Sequence, residues 1–536
     1  MYADLALLNG HIITLSKNKP LAEALAIKGN KIMKVGRNKE ILQHVSGKTK
    51  IIDLNGKTVI PGLIDSHIHV ADLAKTLCWI NLEEARSITE IKSLVKKHAK
   101  MAPSGKWIIG RGWDEGKLIE KKLPKASDLD EAAPNNPVVL YKAKGRICVV
   151  NSLALEIAGK FKNLKDLENN GVDVDPQTGK PTGILSGSAT DLIWKLIPDA
   201  TVEELMELIE KAFKKILEAG ITTVQWIVSS TQELHAIKRI VEDGELPVRV
   251  YLIVPAETLT SDILHELKLL ESEYFKVGGA IFYADGYLAS KTAALTEPYR
   301  NSQNIGKLFY DAKKMGKLLQ IIGKTGLQAV IHAMGDRAIK ETLKAIKAVS
   351  AHHPLKKTRF RIESAAILPL ELIKEIANLG VVISIQPYMA YSELEIWATH
   401  ESIGERIRWL YPLKSLIQEG VIVAGGTDCP MEPLNIFSHI KTAITRQKLA
   451  EEQITIYEAL KMYTINAAYS MNEESVEGTI EEGKLADLTV LSENPLTIPS
   501  EKIDKIKVEL TMVGGKVAYF ESNSIKSFNF PRSKRG

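Results

Sequence analysis

The chain has 536 residues, is 45% hydrophobic and 25% charged, and carries a net charge of only +5, from 70 basic and 65 acidic residues. This composition excludes disorder, a collagen-like repeat or a coiled coil as the main theme, and leaves ample chain for a large core. Three widely spaced cysteines (Cys78, Cys148, Cys429) exclude a disulfide framework and any CxxC thiolate zinc site.

The first residues, Met1 to Leu8, include Asp4 and have neither a basic flank nor a long apolar run, so no signal peptide is expected. No stretch approaches the ~18–20 consecutive apolar residues of a membrane helix. A soluble cytoplasmic protein is the expectation. Residues 1–57 then read as short strands (Leu5–Asn9, His11–Leu15, Ala24–Lys28, Lys31–Val35, Lys50–Leu54) punctuated by Asn-Gly, Lys-Pro and Gly-Asn turns.

From residue 58 to about 480, short apolar runs alternate with longer helical patterns. The expected strands are Thr58–His67, Ile221–Val228, Val248–Val254, Ala280–Ala284, Gln328–Ala333, Phe360–Glu363, Val381–Gln386 and Val421–Gly425. Helices are expected at Val202–Glu218, Lys307–Lys324, Arg337–Ser350 and Glu371–Leu379. Continuous apolar strands alternating with helices imply a parallel sheet covered on both faces, and eight of them imply a closed (β/α)8 TIM barrel. An insertion at about residues 80–220 follows the first barrel strand and has strands of its own at Trp107–Gly110 and Val138–Lys142.

Residues 481–521 return to strands (Ala486–Leu491, Val508–Val513, Lys516–Phe520), with Gly514-Gly515 as a hairpin turn. Neither end has enough strands for a sheet of its own, so the two are expected to pair into one small β-sandwich domain. The last stretch, 522–536, contains no acid and holds Lys526, Arg532, Lys534 and Arg535, which supply most of the net charge. It reads as a disordered basic tail.

Barrel active sites sit at the carboxyl ends of the strands. The first strand ends in His67-Ile68-His69; side chains alternate along a strand, so the two imidazoles share a face about 7 Å apart and can grip one metal ion. The fifth strand ends in His332, and the eighth runs into Gly426-Thr427-Asp428. Together His67, His69, His332 and Asp428 make an N3O1 set for one divalent ion, zinc by donor type, with a position open for water. No Walker loop, strand-placed GxGxxG or GxSxG elbow is present.

The segments Pro61-Gly62-Leu63-Ile64-Asp65-Ser66-His67-Ile68-His69, His332-Ala333-Met334-Gly335-Asp336 and Gly426-Thr427-Asp428-Cys429-Pro430 resemble the amidohydrolase superfamily. More narrowly, they resemble amidohydrolase family 3, the group of the N-substituted formamide deformylases. Arg111-Gly112-Trp113-Asp114-Glu115, Ala284-Asp285-Gly286 and Gly483-Lys484-Leu485-Ala486-Asp487-Leu488 support it, and the resemblance spans about residues 3–520. It implies a metal-dependent hydrolase of a non-peptide C–N bond (amide, formamide or cyclic amide), with Asp428 as catalytic general base and acid.

The chain departs from the family pattern at four positions. Ile281 stands where the family usually has a metal-bridging lysine, and Ile362-Glu363-Ser364 replaces Ile-Glu-His at the sixth strand. Arg146 replaces a histidine, and Trp226 sits where an acid is common. Arg146, Ser364, Trp113 and Asp285 are the candidate substrate contacts. Glu363 is expected to point away from the site if the strand is regular. The alternative reading is a non-catalytic relative that binds a small ligand in the old pocket. Expected partners are a small-molecule substrate, no nucleic acid and no membrane, with a homo-oligomer left open.

Overall fold

The computed structural model describes residues 1–143, 147–159, 171–244, 246–350 and 359–521. Arg146 and the basic tail lie outside these residues. The chain divides into two compact units, residues 1–73 with 209–536, and residues 74–208. No helix of the described residues is long and apolar enough to cross a membrane.

The first unit contains eight parallel strands paired in chain order: β1 (Leu63–Ile68), β2 (Ile221–Ile227), β3 (Arg249–Pro255), β4 (Phe275–Tyr283), β5 (Gln328–Ala333), β6 (Arg361–Ser364), β7 (Val382–Ile385) and β8 (Val423–Gly425). This is the expected barrel. Backbone contacts draw its first and last strands together at their carboxyl ends, where Asp428 N donates to His67 O at 2.7 Å. Ile64, Ile227, Ile253, Ile281 and Val330 pack inside, with Ala467 and Met471 from the segment after β8. Ile281 is therefore a core residue, and no ionisable group occupies its position.

The run expected as one strand over Thr58–His67 is two. Thr58–Pro61 joins a sheet with C-terminal strands, while Leu63–Ile68 enters the barrel. The break falls at Gly62, where any Cβ would collide with the Thr222 side chain, and where the backbone N–H donates to Asp487 O at 2.8 Å. A sheet of six strands combines Thr58–Pro61, His11–Ile13 and Leu21–Ala22 with Leu488–Leu491, Val508–Val513 and Lys516–Phe520. It faces a four-stranded sheet from residues 5–53, and Leu7, Ile27, Ile52, Leu488, Leu510 and Met512 share the core between them. Both chain ends thus build one β-sandwich. Arg249 at the start of β3 anchors it to the barrel through a buried ion pair with Asp487 at 2.7 Å.

The second unit is a six-stranded mixed sheet whose central strands are Ile108–Trp113, Val138–Lys142, Ile147–Val150 and Pro181–Ser186. It ends inside helix Val202–Glu218 rather than at residue 220, because the helix from Ile209 onwards belongs with the barrel: Phe213 packs edge-on against Trp226 at 6.3 Å.

Candidate metal centre

The carboxyl end of β1 is irregular. Val224 pairs with Asp65 and Trp226 with Ile68, so Ser66 and His67 together oppose the single residue Gln225. This β-bulge turns both of them to one side. Ser66 Oγ meets Ser384 Oγ of β7 at 2.9 Å, and His67 lies beside β6. Asp65 points along the sheet instead. Its carboxylate accepts from the N–H of His67 and from the N–H and hydroxyl of Thr427, which ties β1 to the loop after β8. Burial pushes the Asp65 carboxyl up to about 6 even with those donors.

That loop brings in Asp428. Asp428 adopts φ 57, a left-handed conformation that Asp and Asn tolerate better than most residues. Its Oδ1 lies 3.4 Å from His67 Nε2 and 3.4 Å from His69 Nε2. Among the described residues, donor atoms of His67, His69 and Asp428 all fall within 4.8 Å of one another. Donors at 2.0–2.1 Å from a tetrahedral ion stand about 3.4 Å apart, so these three fit a single metal ion. The Nδ1 atoms of His69 and His332 are buried with no hydrogen-bond partner among the described residues.

His332, the fourth expected ligand, shares the inward face but stands outside the close group. It pairs in register with Tyr283 and Glu363, and its ring lies between those of Tyr283 (4.9 Å) and Tyr287 (5.2 Å). Burial, reinforced by His67, depresses its imidazole to about 4.

Glu363 is the main correction to the expected site. The register Tyr283–His332–Glu363–Ser384 places it on the inner face, and it is fully buried. His67 Nδ1 lies 2.6 Å from Glu363 Oε2, so this ring nitrogen donates and Nε2 is left to face Asp428. Arg361, two residues back on the same face and fully buried, pairs with Glu363 and also donates to Gln225, to Ser66 O and to Ser384. Burial opposes ionisation of Glu363, but Arg361 and His67 hold its carboxyl below the usual range. Burial likewise opposes the charged form of His67, yet its bonds to Asp428 and Glu363 raise it to about 9. Burial also works against ionised Asp428, and both imidazoles overcome it, keeping the carboxylate well below its ordinary value. The sequence signal for this pair was present: two opposite charges at spacing two on either side of the buried Ile362.

Ser364 is the next position along, paired with Ala333 at φ 68, and Ala365 N donates to Glu363 O across it. The strand thus ends in a tight three-residue turn, whose strain costs about 1–3 kcal/mol. Trp226 is not a site position: it faces outward, packs on Phe213 and donates Nε1–H to buried Glu233, while Gln225 faces inward. Asp285 is fully buried and accepts from the N–H groups of Ala294, Met334 and Gly335. It organises the loops after β4 and β5 rather than meeting a substrate. Trp113 is a core residue of the second unit, with Nε1–H donating to Leu140 O at 2.9 Å. His439 is spent on backbone, its Nε2 lying 2.8 Å from Pro433 O.

Gly426 has a specific task. A Cβ there would sit 2.5 Å from His67 Cβ and 2.8 Å from His67 N. Gly426→Ala is expected to push β1 away from the loop bearing Asp428 and to cost about 1–3 kcal/mol in overpacking. Metal bound per chain, measured after dialysis, should fall well below that of the parent protein; unchanged loading would show that this close approach does not shape the centre.

A family model described as the amidohydrolase family matches residues 50–519. The chain is 31% identical over 539 residues to Protein LONG AFTER FAR-RED 3 of Arabidopsis thaliana, covering 96% of this chain and 92% of that one. It is 26% identical over 541 residues to N-substituted formamide deformylase of Arthrobacter pascens, covering 97% and 99%. Among solved structures, an uncharacterized metal-dependent hydrolase from Pyrococcus furiosus superposes with TM-score 0.75 at 27% identity, covering 92% of this chain and 100% of that one.

Proposed function

The chain belongs to the amidohydrolase family, and on that premise we propose that it hydrolyses a non-peptide C–N bond in an amide, formamide or cyclic amide. It does so with one divalent ion, zinc, held by His67, His69 and Asp428, with His332 facing the same space. The observation that carries this reading is the convergence of three metal-type donors at the carboxyl ends of β1 and β8. Similarity to a formamide deformylase over nearly the whole chain supports the substrate class.

When bound, the ion supplies Lewis acidity, which acidifies water towards pKa ~7 and polarises the scissile carbonyl. The protein's own groups do the rest. Glu363 takes the Nδ1 proton of His67 as a hydrogen bond and so presents Nε2 as a lone-pair donor. Asp428 turns Oδ1 to both imidazoles, leaving Oδ2 to accept the proton of the attacking water and return it to the leaving nitrogen. Tyr283 and Tyr287 flank His332 and wall that side of the centre. With Ile281 buried in the apolar core, that position offers no lysine to bridge a second ion, so one ion per chain is the expected stoichiometry.

Metal analysis and a panel of N-formyl, amide and lactam substrates test the reading. About one zinc per chain is expected, with turnover lost on chelation and restored by zinc. Zinc at a hundred times its dissociation constant should stabilise the fold by about 2.7 kcal/mol. Metal content near zero, with no thermal shift on adding zinc, would favour a ligand-binding relative without catalysis.

A further inference from the structure

A second polar cluster lies next to Asp428. The O atom of Asp428 accepts from the N–H of Met431 and of Glu432, a turn that brings Glu432 up beside it. Glu432 Oε2 accepts from Ser392 Oγ at 2.9 Å, and Ser392 is followed by Glu393, whose Oε2 accepts from Thr399. Both glutamates are buried, at 5% and 1% exposure, yet neither has an ion-pair partner among the described residues. Buried carboxylates are normally paired with a cation.

Several polar atoms here have no partner among the described residues. Oε1 of Glu432 and Oε1 of Glu393 are buried and unsatisfied, as is the hydroxyl of Tyr411, a residue with no exposure at all. The charges that reach this hydroxyl are those of Glu393, Glu432 and Asp428, so it belongs to the same cluster. Gln386, at the carboxyl end of β7, is likewise fully buried with both amide atoms unpartnered. Arg406, a nearby candidate counter-ion by sequence, is spent instead on the carbonyls of Ile403, Glu297 and Pro298. Burial pushes the carboxyl of Glu393 up to about 7, the direction taken by an acid that lacks a cation.

We propose that Glu393, Glu432 and Tyr411 form a cation subsite beside the metal centre, which takes a primary ammonium or guanidinium carried on the nitrogen side of the substrate. The subsite rests on the hydrolase reading for its role and deepens it: the preferred substrates are formamides or amides of a diamine or a guanidino-amine. A cation there supplies the missing partner for two buried acids, and its N–H groups meet the unpartnered oxygens. Donors bonded to charged acceptors contribute about 1.5–3 kcal/mol each, or about ten- to hundredfold in affinity.

The test compares an N-(ω-aminoalkyl)formamide with the neutral N-alkylformamide of equal length, using the full-length zinc-loaded protein. The cationic compound should have the higher kcat/KM by about ten- to hundredfold. In Glu393→Gln, Glu432→Gln and Tyr411→Phe this ratio should fall towards one. Calorimetric binding of the same pair to Asp428→Asn protein reads recognition without turnover, and should again favour the cation. Turnover of both compounds at equal rates, or faster turnover of the neutral one, overturns the subsite and leaves the hydrolase reading standing. No turnover, combined with tighter binding of the cationic compound, sinks the hydrolase reading and keeps the subsite. Absence of both turnover and selective binding removes the two together. If a glutamine variant does not fold, the parent protein's ratio still decides.

Discussion

Asp428→Asn is expected to lower kcat by about 10²–10⁴ while leaving the fold intact. Asp428 sits at φ 57, which asparagine also tolerates, and its N–H bond to His67 O does not depend on the side chain. What is lost is the charge. An amide cannot carry the proton from water to the leaving nitrogen, and it is a poorer partner for the two imidazoles that now face Oδ1. Measuring kcat at saturating zinc separates the proton-transfer role from weaker metal retention. A loss of less than tenfold under those conditions would remove Asp428 as the base, whatever its part in holding metal.

Glu363→Gln should damage two properties that a second substitution can separate. The amide oxygen can still accept from His67 Nδ1, so the tautomer survives, but the negative charge beside Arg361 disappears. Arg361 then becomes an uncompensated charge at zero exposure, at a cost of about 3–5 kcal/mol. Weakening the carboxylate–histidine pair should also lower metal affinity by about 10–100-fold. Adding Arg361→Met removes the stranded charge, so the double variant should recover most of the stability but none of the metal affinity. Chemical denaturation and zinc competition against a chelator read the two effects. Recovery of both together would show that Glu363 acts on the metal centre only through general stability.

The outcome for individual residues shows where a sequence speaks clearly. Alternation within β1 put His67 and His69 on one face, and strand ends in a barrel converge, so Asp428 could be expected beside them. Both inferences need only the period of a strand and the topology of the sheet. Regular alternation from Ser364, which stands where the family has a histidine, turns Glu363 away from the site. The structure carries the strand one residue further, to Ser364, where the chain turns, and the register with His332 makes Glu363 the inward residue. Trp226 failed similarly: the bulge at Ser66 and His67 and the pairing with Ile68 make Gln225 the inward residue of β2.

Substrate contacts were the least legible. Trp113 and Asp285 stood in family-like segments, but such segments also carry the groups that hold loops and cores in place. Asp285 gives its oxygens to three backbone amides, and Trp113 fills an apolar core. Nothing local distinguishes an acid that meets a ligand from one that meets the main chain. That difference lies in which loops are brought near.

By itself the sequence determined the parallel barrel, the β-sandwich shared by the two chain ends, and four metal-type donors at strand ends, of which three converge, because hydrophobic period and strand order are local properties. Tertiary structure decided what surrounds those donors. Glu363, paired with Arg361, acts on His67 from 296 residues away, and Glu432, held beside Asp428 by a turn, is bonded by Ser392 of a separate segment. Charges in a buried site act through distance and desolvation, and both are set by how remote segments pack rather than by any residue's neighbours in the chain.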